Sequence, residues 1–211
     1  MLADQSRAIA QQVDDAERVA TSLLRSGFFA FEQGSWEQAT TRLDTGLALA
    51  REQGNELLQA RFLGNLAIVQ HVQGQLEKAI ALYRQNIDTF ERLGSPMDVG
   101  RGYSNMGFSY QRMGDLEQAE TAFRRALDSF KQVGEVREEG VAYLHLAEVA
   151  LGRSDLALAR EHCSRATQRF ERVGFDLGIA DVHRVHAGIA GQEGRWAVAE
   201  RYLGEALTIY V

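Results

Sequence analysis

The 211-residue chain is poor in several features that would point to particular kinds of protein. It has a single cysteine, which excludes an internal disulfide and fits a reducing compartment. No apolar run approaches the roughly 18 residues that a membrane-spanning helix needs. Residues 1–20 also lack the basic and apolar regions of a signal peptide. We therefore predict a cytoplasmic protein with no membrane partner.

An excess of positive charge is also missing. The 23 lysine and arginine residues are outnumbered by 29 aspartate and glutamate residues, so the net charge is −6. Nucleic-acid binding requires clustered basic residues that neutralise phosphates, and we therefore predict no nucleic-acid partner. Hydrophobic residues make up 45% of the chain, which is typical of a globular protein that buries a continuous core.

Strand patterns and prolines are scarce as well. No stretch alternates between apolar and polar residues with a period of two, so no sheet is predicted. The only proline, Pro96, lies between two helical patterns. It can begin a helix without breaking one, because the first helical residue needs no N–H donor.

What the chain does contain is a repeat of 40 residues. One set of small or turn-forming residues recurs at this period: Gly34, Gly74, Gly114, Ser154 and Gly194. A second set with the same period is predicted to form helix C′ caps, where glycine adopts the left-handed conformation without a clash: Gly54, Gly94, Gly134 and Gly174. Each unit is therefore two helices, and a fixed period of this length predicts a stack of repeats.

The repeated units resemble tetratricopeptide (TPR) repeats in a long, 40-residue form. The family has a small residue late in helix A, a Gly-Asp turn, and an Ala, large, Ala pattern along helix B. In the third unit these positions are Gly107, Gly114, Asp115, Ala119, Phe123 and Ala126. Trp36 and Trp196 occupy the position of Leu116 in this unit and are predicted to be core residues.

The resemblance implies an all-α fold, a right-handed α-α superhelix (TPR solenoid) of about five helix-turn-helix repeats. We predict one domain over residues 1–211. Its parts are a partial leading helix at 1–13 and repeats at about 14–53, 54–93, 94–133, 134–173 and 174–211.

The two ends lack obvious polar caps. Asp14 and Glu17 have the spacing of a capping box, which predicts that the first helix A begins there. At the other end Leu203, Leu207 and Tyr210 have no following helix to cover them. We hypothesise either a fragment of a longer protein or a homo-oligomer formed through the uncapped ends.

The resemblance also implies where a partner binds, because TPR proteins use the concave surface lined by helix A. The side chains at those positions form the predicted peptide-binding groove: Arg61, Asn65, Ile68, His71, Arg101, Asn105, Phe108, Gln111, Leu144, His145 and Glu148. The second and third units share an Arg-x-x-x-Asn pattern and resemble repeats of G-protein-signalling modulators and kinesin light chains. There the Asn holds the backbone of an extended peptide and the Arg meets acidic side chains. A protein or peptide partner, acidic or with apolar anchors, is therefore implied.

Other interpretations of these residues stay open. Asn65 and Asn105 could hydrogen-bond only within the chain, and Asp98 lies three residues before Arg101, where the two could pair. Apolar residues at the groove positions, such as Phe108, could also belong to the core. Two further functions remain: a ligand-sensing or regulatory module, as in bacterial signal-transduction ATPases with long repeats, and a structural self-association unit.

Catalytic and metal-binding patterns are weak. His183 and His186 are three residues apart and Cys163 belongs to the preceding helix, which makes a metal site conceivable. All three occupy packing positions of the repeat, so packing is the favoured interpretation. Cys163 has no convincing base, and no Gly-rich phosphate loop is present. We therefore predict no enzyme activity, no metal and no cofactor.

Overall fold

The computed structural model describes residues 2–210, and it describes side chains from residue 15 onwards. Over this part of the chain the structure consists of α-helices, with no strand. The helices are α1 (Leu2–Glu32), α2 (Trp36–Glu52), α3 (Glu56–Val72), α4 (Leu76–Arg92), α5 (Pro96–Met113), α6 (Leu116–Val133), α7 (Val136–Gly152), α8 (Leu156–Val173), α9 (Asp176–Gln192) and α10 (Trp196–Tyr210). The predicted all-α fold of paired helices is confirmed.

The helices fall into two compact units, residues 1–95 and residues 96–211. The first unit contains α1 to α4, and the second contains α5 to α10. Within each unit, odd-numbered helices take the helix A position of a repeat and even-numbered helices the helix B position. The single domain expected over the whole chain stays a prediction.

The predicted turn residues have the backbone conformation that the repeat requires. Gly134 and Gly174 end α6 and α8 with φ angles of 72° and 66°, in the left-handed region. Ser154 has a φ of 61° at the turn between α7 and α8, where the other repeats have glycine. Pro96 is the first residue of α5, as predicted.

Close packing of helix A on helix B explains the small residue late in helix A. In α6 the side chains of Ala119, Phe123 and Ala126 are fully buried. A Cβ atom at Gly107 of α5 would lie 2.7 Å from the Phe123 ring. Glycine is therefore needed at position 107 because the phenylalanine of the partner helix fills the space of a side chain.

Two sequence predictions are wrong. Trp36 and Trp196 are 41% and 69% exposed and are not core residues. Each is the first residue of its helix, so its large side chain extends past the packed layer. Helix α1 is continuous from Leu2 to Glu32, so no helix begins at Asp14. Residues 2–13 contain no glycine or proline that would end the helix. The repeat pattern predicts that Ile9 and Val13 are the apolar residues of the partial leading helix, and their side chains lie outside the described residues.

Candidate functional site

In the second unit, the odd-numbered helices carry most of the predicted binding residues. We call the surface formed by these residues of α5 and α7, together with Asp181 and Arg184 of α9, the A-helix face of this unit. Phe108 of α5 and His145 of α7 are in contact there, with ring centres 4.5 Å apart and an interplanar angle of 75°. The structure therefore brings together two predicted residues that are separated by 37 positions in the sequence.

A series of charged contacts connects His145 of α7 with residues of α9. His145 Nδ1 lies 3.2 Å from Glu148 Oε2, and Glu148 Oε1 lies 3.3 Å from the guanidinium of Arg184. Arg184 also lies 3.5 Å from Asp181, which accepts a hydrogen bond of 2.7 Å from the Tyr210 hydroxyl of α10. His145 and Glu148 are thus already engaged by neighbours, and a ligand that uses either must compete with these contacts.

Asn105 differs from these residues because its carboxamide is not engaged. The side chain is half-buried, and within the described part of the chain its amide has no hydrogen-bond partner. Its atoms are not among the fully buried unpaired ones, so they are accessible. Arg101, one helical turn earlier, is exposed and lies 3.8 Å from Asp98, as the alternative interpretation of that arginine expected.

Two further predicted residues of this unit have different environments. Gln111 is half-buried near the end of α5. Leu144 is only 5% exposed and packs in the core, so it presents little surface to a ligand. Of the apolar residues predicted for this face, Phe108 is the one that remains partly accessible.

In the first unit, α3 carries the corresponding residues. Arg61 is exposed, whereas Asn65, Ile68 and His71 are half-buried. The Asn65 carboxamide has no hydrogen-bond partner among the residues whose side chains are described.

A second asparagine of this unit, Asn86 of α4, is used for packing instead. It is 5% exposed and donates a 2.7 Å hydrogen bond to the Ala60 carbonyl. The repeat register places position 86 on helix B, at the position that Ala126 has in the third repeat. Its structural role could have been suspected because alanine occupies this position at 126, 166 and 206.

The residues considered as metal ligands, His183, His186 and Cys163, behave as packing residues. Cys163 is fully buried, and burial raises its pKa to about 12. His186 stacks on Tyr202, with ring centres 5.1 Å apart, and burial lowers its pKa. His183 Nδ1 lies 3.2 Å from a Glu205 carboxylate oxygen but is not in hydrogen-bond geometry with it. Within the described residues, no group of three histidine, cysteine, aspartate or glutamate side chains could hold a metal ion.

None of the helices over the described residues combines the length and the apolar character needed to cross a membrane.

Comparisons with known structures concern the fold alone, because the sequence identities are low. The structure is similar to BtubC (BKLC) from P. vanneervenii, with a TM-score of 0.75 and 16% identity over 96% of this chain and 91% of that one. A putative kinesin light chain from Podosopora anserina with nearly identical TPR-like repeats gives 0.74 and 14%, over 92% and 96%. Aspartyl phosphate phosphatase F from Bacillus subtilis gives 0.77 and 12%, over 94% of this chain but 60% of that one.

Sequence comparison identifies the family directly. No curated protein matches the chain. The Tetratricopeptide repeat family, in contrast, matches residues 18–92, 98–158 and 138–210, which together make up most of the sequence. The chain belongs to the tetratricopeptide repeat family.

Proposed function

We propose that the chain is a protein-interaction module that binds an extended peptide segment of a protein partner on the helix A surface of each compact unit. One observation carries the proposal. Asn65 and Asn105 are 40 residues apart in the repeat, and both present an accessible carboxamide that has no hydrogen-bond partner among the described residues. Because neither carboxamide is engaged within the described residues, both are available to an external partner without the loss of an existing side-chain hydrogen bond.

The chemistry of a carboxamide fits a peptide backbone. Each asparagine side chain offers an acceptor oxygen and a donor nitrogen, so it can bond both the N–H and the C=O of an extended strand. Such contacts do not depend on the side chains of the peptide. They give affinity without selecting a sequence, and selectivity must come from neighbouring residues.

The neighbours favour an acidic peptide with apolar anchors. Arg61 and Arg101 lie one turn before the asparagines and are exposed, and arginine can form two parallel bonds to a carboxylate. The Phe108 and His145 rings offer a partly accessible aromatic surface beside Asn105. Aromatic side chains at partly buried positions are common anchors of protein interfaces.

Affinity capture from host lysate tests the proposal. The wild-type chain is compared with an Asn65→Ala, Asn105→Ala double variant. A matched control is Gln85→Ala with Gln132→Ala, which removes two carboxamides from exposed helix B positions. We expect a captured partner to be retained by the control and lost by the asparagine variant, while all three proteins unfold at the same temperature.

The reverse pattern contradicts the proposal. If the asparagine variant captures the same partners as wild type, the helix A carboxamides do not bind them. If the partner is instead lost as expected, purified partner fragments identify the bound segment, and a segment rich in acidic and apolar residues is expected.

A second candidate function, self-association, is favoured by the exposed face of α10. Leu203, Leu207 and Tyr210 are 46%, 63% and 48% exposed. Phe123 and Leu43, large residues that occupy the position of Leu203 in earlier repeats, are fully buried. The α10 face therefore resembles the apolar surfaces through which the helices of other repeats pack.

The chemistry of α1 favours pairing of two α10 faces over head-to-tail stacking. Arg18, Ser22 and Ser26 of α1 stand at the register positions where α3 has Leu58, Phe62 and Leu66. These polar residues would not cover an apolar α10 face well.

Sedimentation velocity over a concentration series tests self-association. Leu207→Arg is expected to abolish it, and Thr208→Arg on the neighbouring exposed position is expected to leave it unchanged. A monomer at every concentration would refute this candidate.

A further inference from the structure

A cluster of positive charges surrounds Tyr143 of α7. The Lys131 ammonium from α6 lies 5.5 Å from the ring centre, and the Arg165 and Arg169 guanidinium carbons from α8 lie 5.6 Å and 5.8 Å from it. Tyr143 is only 4% exposed, so packing holds its ring in place. Two helices, α6 and α8, therefore direct three cationic side chains towards one fixed phenol of α7.

The cluster does not belong to the proposed peptide-binding surface. Tyr143 precedes His145 by two residues on α7. Two residues correspond to about 200° around an α-helix, so their side chains leave the helix on nearly opposite sides. The cationic cluster is thus on the side of α7 that faces the helix B layer.

The carboxylates of the described residues neutralise only part of this positive charge. Arg169 Nε lies 2.8 Å from Glu139 Oε2, and an Arg165 nitrogen lies 2.6 Å from Glu161 Oε1. Lys131 has no carboxylate partner among the described residues. Three cations and two carboxylates leave one net positive charge beside the phenol.

The Tyr143 hydroxyl is itself affected by this environment. Burial alone would raise its pKa, but hydrogen bonds from Arg165 and Lys131 and their charges outweigh burial, so the pKa lies below its ordinary value. Lys131 and Arg165 therefore act at the hydroxyl end of the ring, and both side chains are exposed, which leaves them accessible to a ligand.

The repeat fold does not require these cations. One repeat later His183 takes the position of Tyr143, and the three register positions around it are Glu171, Glu205 and Ile209. His183 Nδ1 lies 3.2 Å from Glu205 there. The equivalent positions in two successive repeats thus carry opposite charge, and packing alone does not explain the three cations around Tyr143.

We propose that Lys131, Tyr143, Arg165 and Arg169 form a binding site for a phosphate group. Arginine can fork onto two phosphate oxygens, lysine adds a compact charge, and the tyrosine hydroxyl can donate one hydrogen bond. The phosphate must displace Glu139 and Glu161 from their arginines. A doubly charged anion is therefore favoured over a singly charged one.

The test is a titration followed by the NMR signals of the Tyr143 ring, with inorganic phosphate and O-phosphoserine as probes and sodium chloride at matched ionic strength as reference. The variants are Lys131→Gln and Arg165→Gln. The control is Arg125→Gln, an exposed arginine at the same register one repeat earlier with the same change of charge. We expect saturable shifts with phosphate, a loss of affinity of about tenfold in each site variant, and no change in the control.

Two results would overturn the site. One is a shift that chloride reproduces at the same ionic strength, and the other is an equal loss of affinity in Arg125→Gln. O-phosphoserine binding more tightly than inorganic phosphate supports the site and identifies a phosphorylated side chain as its ligand. Equal affinities support it with free phosphate as the ligand. Asn105→Ala is expected to leave phosphate binding unchanged, which separates this site from the peptide-binding surface.

Discussion

The substitution Gly46→Ala tests how tightly successive repeats pack in the first unit. A Cβ atom at Gly46 of α2 would lie 2.2 Å and 2.3 Å from two ring carbons of Phe62 of α3. These distances are about 1.2–1.8 Å short of the roughly 3.5–4.0 Å of an ordinary contact between carbon atoms. Phe62 is fully buried, so its ring has no open space into which it can move.

The expected magnitude combines two opposing effects. Overpacking of a filled core costs about 1–3 kcal/mol, and the Gly46 clash falls at the upper end because the ring cannot move away. Alanine is favoured over glycine inside a helix by about 1 kcal/mol. We therefore expect Gly46→Ala to lower the free energy of unfolding by about 1–2 kcal/mol.

Urea denaturation followed by circular dichroism measures this change. Gly204→Ala in α10 is the matched control, because a Cβ atom there meets nothing within 4 Å. We expect the control to stabilise the chain by about 0.5–1 kcal/mol. In a Phe62→Leu background the smaller side chain leaves room, so Gly46→Ala is expected to lose its cost. If Gly46→Ala raises the unfolding midpoint as much as Gly204→Ala does, the packing reasoning is wrong.

Three further predictions concern other parts of the repeat. Ser154→Gly is expected to stabilise the chain by about 0.5–1 kcal/mol in the same denaturation assay, because serine is strained at a φ of 61°; a lower midpoint would contradict this. Arg153→Glu is expected to cost about 0.5–1 kcal/mol, because it removes the ion pair with Glu120. Glu120→Arg in the same chain forms the pair in reverse and is expected to restore part of the loss, because it also removes the pair of Glu120 with Arg124. The recovery should shrink at high salt, and a lack of recovery at low salt would refute a role for the pair. The Cys163 thiol, whose pKa burial raises to about 12, is expected to resist thiol reagents near about pH 8 in the folded chain and to react after unfolding. Its contribution to stability is complete below the ordinary thiol pKa of about 9 and is lost as the pH rises towards 12, and rapid labelling of the folded chain would contradict its burial.

The repeat architecture could be predicted because its signals are local. A glycine at a turn indicates a left-handed backbone, and the Ala, large, Ala pattern of helix B indicates a close neighbour one helix away. Gly107 and Phe123 show both signals, and the structure places them in contact. Such features depend on residues of the same or the adjacent helix, so spacing along the chain is enough to find them.

The candidate sites depend on the rotation of each helix against its neighbours, which spacing gives only roughly. The contacts of Glu148 with Arg184 and of Tyr143 with Lys131 join different repeats, and nothing in the sequence marks these residues as partners. Leu144 illustrates the limit, because one position in a helix decides between the core and the A-helix face. Trp196 shows a second limit, since the end of a helix exposes a side chain that the pattern assigns to the core.

Site-specific photocrosslinking tests the central claim most directly. That claim is that the A-helix face of the second unit binds a peptide. A photoreactive phenylalanine derivative replaces Gln111 on α5 in one protein and Gln132 on the exposed end of α6 in another, and both are irradiated with the captured partner. We predict a crosslinked product from position 111 that disappears when Asn105→Ala is added, and none from position 132. A crosslink from position 132 alone, or one from position 111 that Asn105→Ala does not reduce, would contradict binding at this surface.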